Sequence, residues 1–371
     1  MSESLAIERG TLLLYYSFDV GEEIYLDRIE EIFGEAPVAS RLVYERLTPA
    51  YVQYRKAPLL VKMGSIELEA GGESHTAACQ AKLYDFGVVT VVFKIPLHHS
   101  FQSLINLSVS VIGNPAFQQT ARSLLDRLLH EILDEVVQTP DQHGGGDEPE
   151  WEDYAIFSIE RFNRPTSAQE LLASHAKDIA RVLRSESEPL SQWELADATK
   201  QSLSHYENDL TVVDWNAALI FDPRQSYDVP DVLEYVVAML LELRTYDALL
   251  DHALDKAYDD LEKRPQLLSL RPFAKTINYL LEVKLDVSQV IERAKNSLKL
   301  IGDLYLARIY SAAATRFSLP TWEASVQEKL DTVQSLYMML HDRTQDRLLL
   351  VLELLIVILF VVDIALLFVG L

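Results

Sequence analysis

Glu353 and Asp363 are the residues whose setting most invites chemistry. They are two carboxyls ten positions apart, inside the otherwise apolar run Leu348 to Leu371 (LLLVLELLIVILFVVDIALLFVGL). At 3.6 residues per turn they lie about 80° apart, on one side of a helix. Acids at membrane depth are rare, and they mark helix packing or ion and proton movement. The first expectation is a helix–helix interface with protonated or hydrogen-bonded carboxyls. A proton or ion path is the sharper alternative, and it needs several copies, because one helix encloses nothing.

Other residues suggest chemistry and then fail to support it. Asp85-Phe86-Gly87 spells the metal-binding triplet of protein kinases, but no Gly-rich phosphate loop and no His-Arg-Asp loop accompany it. A hairpin turn is the plainer reading. His98-His99 is the one adjacent histidine pair, and adjacent strand residues face opposite ways. His130-Glu131 begins like a zinc-protease helix, yet position 134 is Asp. Cys79 is the single cysteine, so no internal disulfide is possible, and a small buried apolar role is expected. No nucleophile elbow, Walker loop or dinucleotide fingerprint occurs. No catalytic, cofactor-binding or metal-binding residue is assigned, no cofactor is expected, and the chain reads as a non-enzyme. An enzyme whose site cannot be read from its motifs is the remaining alternative.

The elements that must position the two acids begin with their own helix. Twenty of the 24 residues from Leu348 to Leu371 are Leu, Ile, Val or Phe. Such a helix spans a hydrocarbon core of about 30 Å. Each apolar residue favours insertion by roughly 0.3 to 0.6 kcal/mol, against roughly 2.5 to 3.5 for one central Asp, so insertion wins. Arg343 and Arg347 flank the entering side and argue for a cytoplasmic head at an inner membrane, single-pass. With Leu371 the last residue given, insertion is expected after synthesis. The first ten residues read as neither a secretory signal nor an Arg-rich transit peptide.

The 371 residues carry 56 acids against 33 bases, a formal charge of -23. That balance opposes direct nucleic-acid binding and suits a soluble head or a basic protein partner. The expected fold class is an α+β N-terminal domain followed by an all-α helical bundle or stalk and one C-terminal transmembrane helix. Residues 1–138 form the α+β head, 139–150 a linker, 151–225 a mixed and mainly helical segment, 226–345 the long-helix stalk, and 346–371 the anchor.

Local signals fill this in. Thr11 to Phe18, Pro58 to Leu68 and Gly87 to Ile95 read as strands, with Ala77 to Tyr84 pairing across the Asp85-Phe86-Gly87 turn. Tyr25, Ile29 and Ile32 mark a short helix. Asn114-Pro115 opens another, with an apolar stripe from Phe117 to Val136. Thr139 to Glu150 (TPDQHGGGDEPE) is the clearest linker, although Tyr154 to Ile159 suits a strand returning to the sheet. Ser167 with Glu170 and Ser191 with Glu194 are capping boxes. Leu210 to Phe221 fits strand or helix. Val232 to Ala257 holds a 4-3 apolar seam, as do Val287 to Tyr305 and Val326 to Leu340. The last is expected to run from Thr321 into the membrane as one helix of about 50 residues. An antiparallel bundle explains these seams, with intermolecular coiled coil as the alternative.

The tail pattern Leu352-Glu353, Ile356-Val357-Ile358 and Val361-Val362-Asp363-Ile364 resembles the terminal signature of the required-for-meiotic-nuclear-division (sporulation) family, a domain-of-unknown-function family. The turn Tyr84-Asp85-Phe86-Gly87 leading into Val88-Val89 and the segment Leu195 to Glu207 are similar to family segments. Arg347 stands five residues before Leu352 rather than adjacent, a departure. The resemblance implies an α+β head, a helical stalk, a tail anchor, large homo-oligomers and no catalytic residues, with the lack of a transit peptide pointing to a bacterial-type member. The function expected from all of this is a tail-anchored homo-oligomeric scaffold or tether presenting its head to a cytoplasmic protein. The alternative is a conductor or transport-associated protein using the tail acids.

Overall fold

The computed structural model describes residues 5–32, 58–98, 100–137, 150–262, 273–296 and 303–370. The chain divides into two compact units, Met1–Thr245 with Ala294–Trp322, and Tyr246–Arg293 with Glu323–Leu371.

The first unit is built on an eight-stranded sheet. Its strands are β1 (Ile7–Asp19), β3 (Leu59–Ala70), β4 (Glu73–Leu83), β5 (Val88–Leu97), β7 (Trp151–Phe162), β8 (Gln201–Leu203), β9 (Leu210–Val213) and β10 (Ala217–Phe221). The order is β3-β4-β5-β1-β7-β10-β9-β8. Every pairing is antiparallel except β7 with β10. A parallel pair needs a crossover, and here the chain between those strands holds α4 (Ala168–Arg184), α5 (Gln192–Ala198), β8 and β9. A two-stranded pair, β2 (Glu23–Ile24) with β6 (Val136–Val137), sits apart.

Helices cover both faces of the sheet, so β1 reads as a continuous apolar run rather than an alternation. Leu12, Leu14, Tyr16 and Phe18 enter one core with Phe93 and Phe157, under α2 (Phe101–Val111), α3 (Pro115–Ile132) and α4. Leu13, Tyr15, Ser17 and Asp19 are buried on the opposite face. There the sheet meets the first turns of α6 (Asp228–Glu262) and α8 (Leu304–Arg316). Ser17 Oγ and Thr90 Oγ1 pair at 2.9 Å across β1 and β5 within this layer.

Much local structure follows its signals. Asn114 caps α3 by accepting from Ala116 N–H, Ser167 caps α4, and Ser191 caps α5. α1 (Leu26–Ile32) is the short helix expected there. The Tyr84–Gly87 turn joins β4 to β5, and Gly87 has φ +88°. A Cβ there would fall 1.6 Å from the Gly21 carbonyl oxygen, so only glycine fits.

Other expectations are corrected. Val136 belongs to β6, not to the stripe of α3, which ends at Ile132. Against a boundary at 139–150, and in line with the returning-strand reading, Tyr154 to Ile159 lies in β7, between β1 and β10, so residues on both sides of that segment build one sheet. Of that linker only Glu150 is among the described residues. Leu210 to Phe221 resolves as the β9–β10 hairpin around Asp214-Trp215-Asn216.

The second unit is helical. It comprises the C-terminal part of α6, α7 (Ala274–Asn296) as far as Arg293, and α9 (Leu319–Val369) from Glu323 onward. Leu250, Ala253 and Ala257 are buried with Leu280, Val283, Val287 and Val290, and with Val326, Leu330, Val333, Leu336 and Leu340. Leu336 takes the buried position that the heptad pattern assigns to Tyr337. Lys329 ties α9 to α6 at 2.9 Å from Asp247 and 2.7 Å from Asp251. The run Val287 to Tyr305 is not one helix. Asp303 caps a new one by accepting from Tyr305 and Leu306 N–H, while Leu298 and Ile301 lie outside the described residues. α9 starts after Ser318 (φ +56°) and runs 51 residues. Its Leu319–Leu366 portion includes an 18-residue stretch of mean hydropathy 3.0, none of it buried, long and apolar enough to cross a membrane.

Candidate functional site

The most concentrated chemistry lies between the sheet and α6. Lys82 and Tyr84 are two residues apart on β4 and its turn, so they share a face. Asp231 and Glu234 are three apart on α6 and share a face too. Lys82 Nζ lies 2.8 Å from Asp231 Oδ1 and 2.6 Å from Glu234 Oε2, and Tyr84 donates its hydroxyl to Glu234 Oε1 at 2.9 Å. Lys82 is 4% and Glu234 1% exposed. Tyr84 packs on Phe86, and Phe86 meets Tyr235 edge-on.

Burial alone would push the Lys82 ammonium down, but Asp231 and Glu234 hold it above its ordinary value. Burial raises the Glu234 carboxyl, and Asp231 adds to this while Lys82 opposes it. One cation serves two carboxylates. A lysine acting as base or nucleophile needs the opposite shift. The cluster ties β4 and its turn to the start of α6.

A second cluster surrounds the β9–β10 turn. Asp214, fully buried, lies 2.8 Å from Arg184 Nε and 2.8 Å from Arg316 Nε. Asp197 accepts from Arg184 and Arg316, each at 2.6 Å. Hydrogen bonds from Arg316 hold the Asp197 carboxyl down to about 2. Arg184, Asp214 and Trp215 also line an open cleft of about 400 Å³. Both guanidiniums already face carboxylates, so neither is a free anion receptor. A smaller cleft carries Asp209, Asp222, Asp228 and Asp303. Asp209, Asp222 and Asp303 there accept backbone N–H groups in turns or at the start of α8.

Among the described residues, no three His, Cys, Asp or Glu side chains gather as metal ligands. His98 contacts the Glu8 carbonyl at 2.8 Å, and His99 lies outside the described residues. Cys79 is buried on β4, and burial pushes its thiol up, away from reactivity.

The residues singled out in the sequence separate into two places. Tyr84, Asp85, Phe86 and Gly87 form the β4–β5 turn, with Tyr84 and Phe86 buried. Val20 N–H donates to Gly87 O and Ile24 N–H to Asp85 O, so the backbone of the triplet brings chain segments together. Glu353 and Asp363 are exposed on α9, Arg343 is exposed, and Arg347 is half-buried. Sequence reasoning missed Lys82, Asp231 and Glu234. The available signal was Glu234 inside Val232 to Leu241, where every other residue is apolar.

Residues 9–228 match the family model described as "Uncharacterized protein MJ0711, N-terminal domain". The match takes in the sheet except the first two residues of β1 and stops at the first residue of α6. The uncharacterized protein MJ0711 of Methanocaldococcus jannaschii is 22% identical over 216 residues, 58% of this chain and 65% of that protein. The match thus spans just under two thirds of the relative's length. These findings overturn the resemblance to the required-for-meiotic-nuclear-division family. The Tyr84–Val89 turn and Leu195–Glu207, which carried part of it, lie inside the matched region. Gly87 is demanded by the turn's φ and the Gly21 contact, so a similar turn arises without common descent. The tail likeness lies outside the matched region and rests on one short apolar pattern with two acids. The chain belongs to the family defined by the N-terminal domain of uncharacterized protein MJ0711.

Proposed function

We propose that this protein is a membrane-anchored scaffold, held by the apolar end of α9 and assembled from several copies. Its α/β unit presents a surface to a protein partner on the cytoplasmic side. The observation that carries the reading is the contrast along α9. Val326, Leu330, Val333 and Leu340 are buried, whereas Leu349, Leu352, Leu355, Val357 and Phe360 are each more than half exposed. An apolar stretch of that size gains from a lipid solvent what it cannot gain from water. The exposed Arg343 and half-buried Arg347 favour the cytoplasmic side for the rest of the chain. The polar clusters of the first unit act in this reading as internal locks, which keep the presented surface rigid.

The test is the mass of the full-length protein in detergent by light scattering, with protease protection in sealed vesicles. A defined oligomer whose first unit is cleaved only from the cytoplasmic face supports the reading. A monomer, or a first unit shielded from that face, contradicts it.

A further inference from the structure

α9 carries its two tail acids on the side it does not use for packing. Within the second unit, Val326, Leu330, Val333, Leu336, Leu340 and Thr344 are buried, and they centre on one side of the helix. At about 100° per residue, the seam Leu349-Glu353-Ile356-Phe360-Asp363 centres roughly 160° away, nearly opposite. Its steps are four, three, four and three, the spacing of a two-helix seam crossing at about 20°. All five residues are exposed, with Leu349 at 60%, Ile356 at 50% and Phe360 at 67%.

The chemistry of that seam selects its occupant. From Leu348 to Leu371 the chain has no Lys, Arg or His, so it holds no cation to neutralise either carboxyl within the span. A lone carboxyl facing lipid is costly. A neutral carboxyl is both donor and acceptor, so an identical carboxyl at the same depth satisfies it. Copies of one chain insert in the same direction, which places Glu353 opposite Glu353 and Asp363 opposite Asp363. Ile356 and Phe360 between them supply apolar packing.

We infer that the Leu349-Glu353-Ile356-Phe360-Asp363 face of α9 is a self-association surface, in which a second copy of this chain packs in parallel and the paired carboxyls hydrogen-bond across the interface. The inference rests on the membrane reading above and deepens it by naming the partner and the residues. It leaves the opposite side of α9 free to continue its packing in the second unit.

The test is disulfide cross-linking of the full chain in native membranes. The wild type serves as blank, because its single cysteine, Cys79, is buried. Leu349→Cys, Ile356→Cys and Phe360→Cys are compared with Leu354→Cys and Ile358→Cys on the other side. Several-fold more dimer from the first three is expected. Equal cross-linking around the helix, preference for the second pair, or no cross-linking overturns the inference. Co-purification of two differently tagged copies gives an independent readout. Glu353→Gln with Asp363→Asn keeps donor and acceptor, so pairing is expected to persist. Glu353→Leu with Asp363→Leu is expected to weaken it several-fold. Loss with the amides instead overturns the inference and indicates that a cationic membrane helix is the partner. Alkaline extraction of the same membranes separates the two claims. Protein that stays in the pellet yet fails to cross-link defeats only this inference, whereas protein released to the supernatant defeats the membrane reading.

Discussion

Replacing Asp19 by Asn should remove a large pH dependence from the stability of the first unit. Asp19 ends β1 and is fully buried. Burial pushes its carboxyl up to about 7, with Gly21 N–H and Thr245 partly opposing, and with the Glu150 and Glu22 carboxylates adding to the rise. Oδ1 accepts from Gly21 N–H at 3.2 Å, while Oδ2 and the buried Thr245 Oγ1 lack a well-formed hydrogen bond. The folded carboxyl therefore holds its proton more tightly than the unfolded one, whose value is about 3.9. The folded state binds more protons, so stability is full below about pH 4 and is lost as pH rises through 7. Three units at about 1.4 kcal/mol each give a loss of up to about 4 kcal/mol across that window. Asn keeps the acceptor for Gly21 and adds a neutral donor for Thr245. The assay is urea unfolding in detergent at pH 4.5 and pH 7.5, followed by tryptophan fluorescence, since Trp151 pairs with Phe18 next to Asp19. Wild type should lose stability between the two pH values much more than the variant does. Parallel behaviour of the two proteins refutes the assignment.

Lys82→Met leaves Asp231 and Glu234 buried without their cation, at a cost of about 3–5 kcal/mol. The triple change Lys82→Met, Asp231→Leu, Glu234→Met should recover most of that loss in the same urea assay. Gly87→Ala forces a side chain into positive φ and onto the Gly21 carbonyl. The backbone term alone is about 1–3 kcal/mol, readable as a lowered Tm. Arg316→Ala removes one of the two guanidiniums that Asp197 and Asp214 share and leaves Arg184. The Asp197 carboxyl should then rise from about 2 toward its usual value, measurable by NMR titration.

The sequence carried the local structure well and the long-range structure poorly. Caps at Asn114, Ser167 and Ser191 are decided by residues two or three positions apart, so they read directly. The same holds for the Gly87 turn and for the Val232 to Ala257 seam, every member of which is buried. The place of β7 between β1 and β10 depends on pairings between distant segments, which no window contains. Lys82 looked like an ordinary strand lysine because its two partners lie 149 and 152 positions away. The carboxyl of Asp19 was hidden in the same way. Covering both faces of the sheet makes burial continuous, so alternation no longer shows which polar residues point inward.

Anchoring, orientation and self-association all depend on the apolar end of α9 lying in a membrane. The most direct measurement is alkaline carbonate extraction of membranes from cells expressing the full chain, with the protein followed in pellet and supernatant. The protein is expected to stay in the pellet with integral proteins and to be released only by detergent. Recovery in the carbonate supernatant, with the protein stable and soluble without detergent, would contradict that expectation.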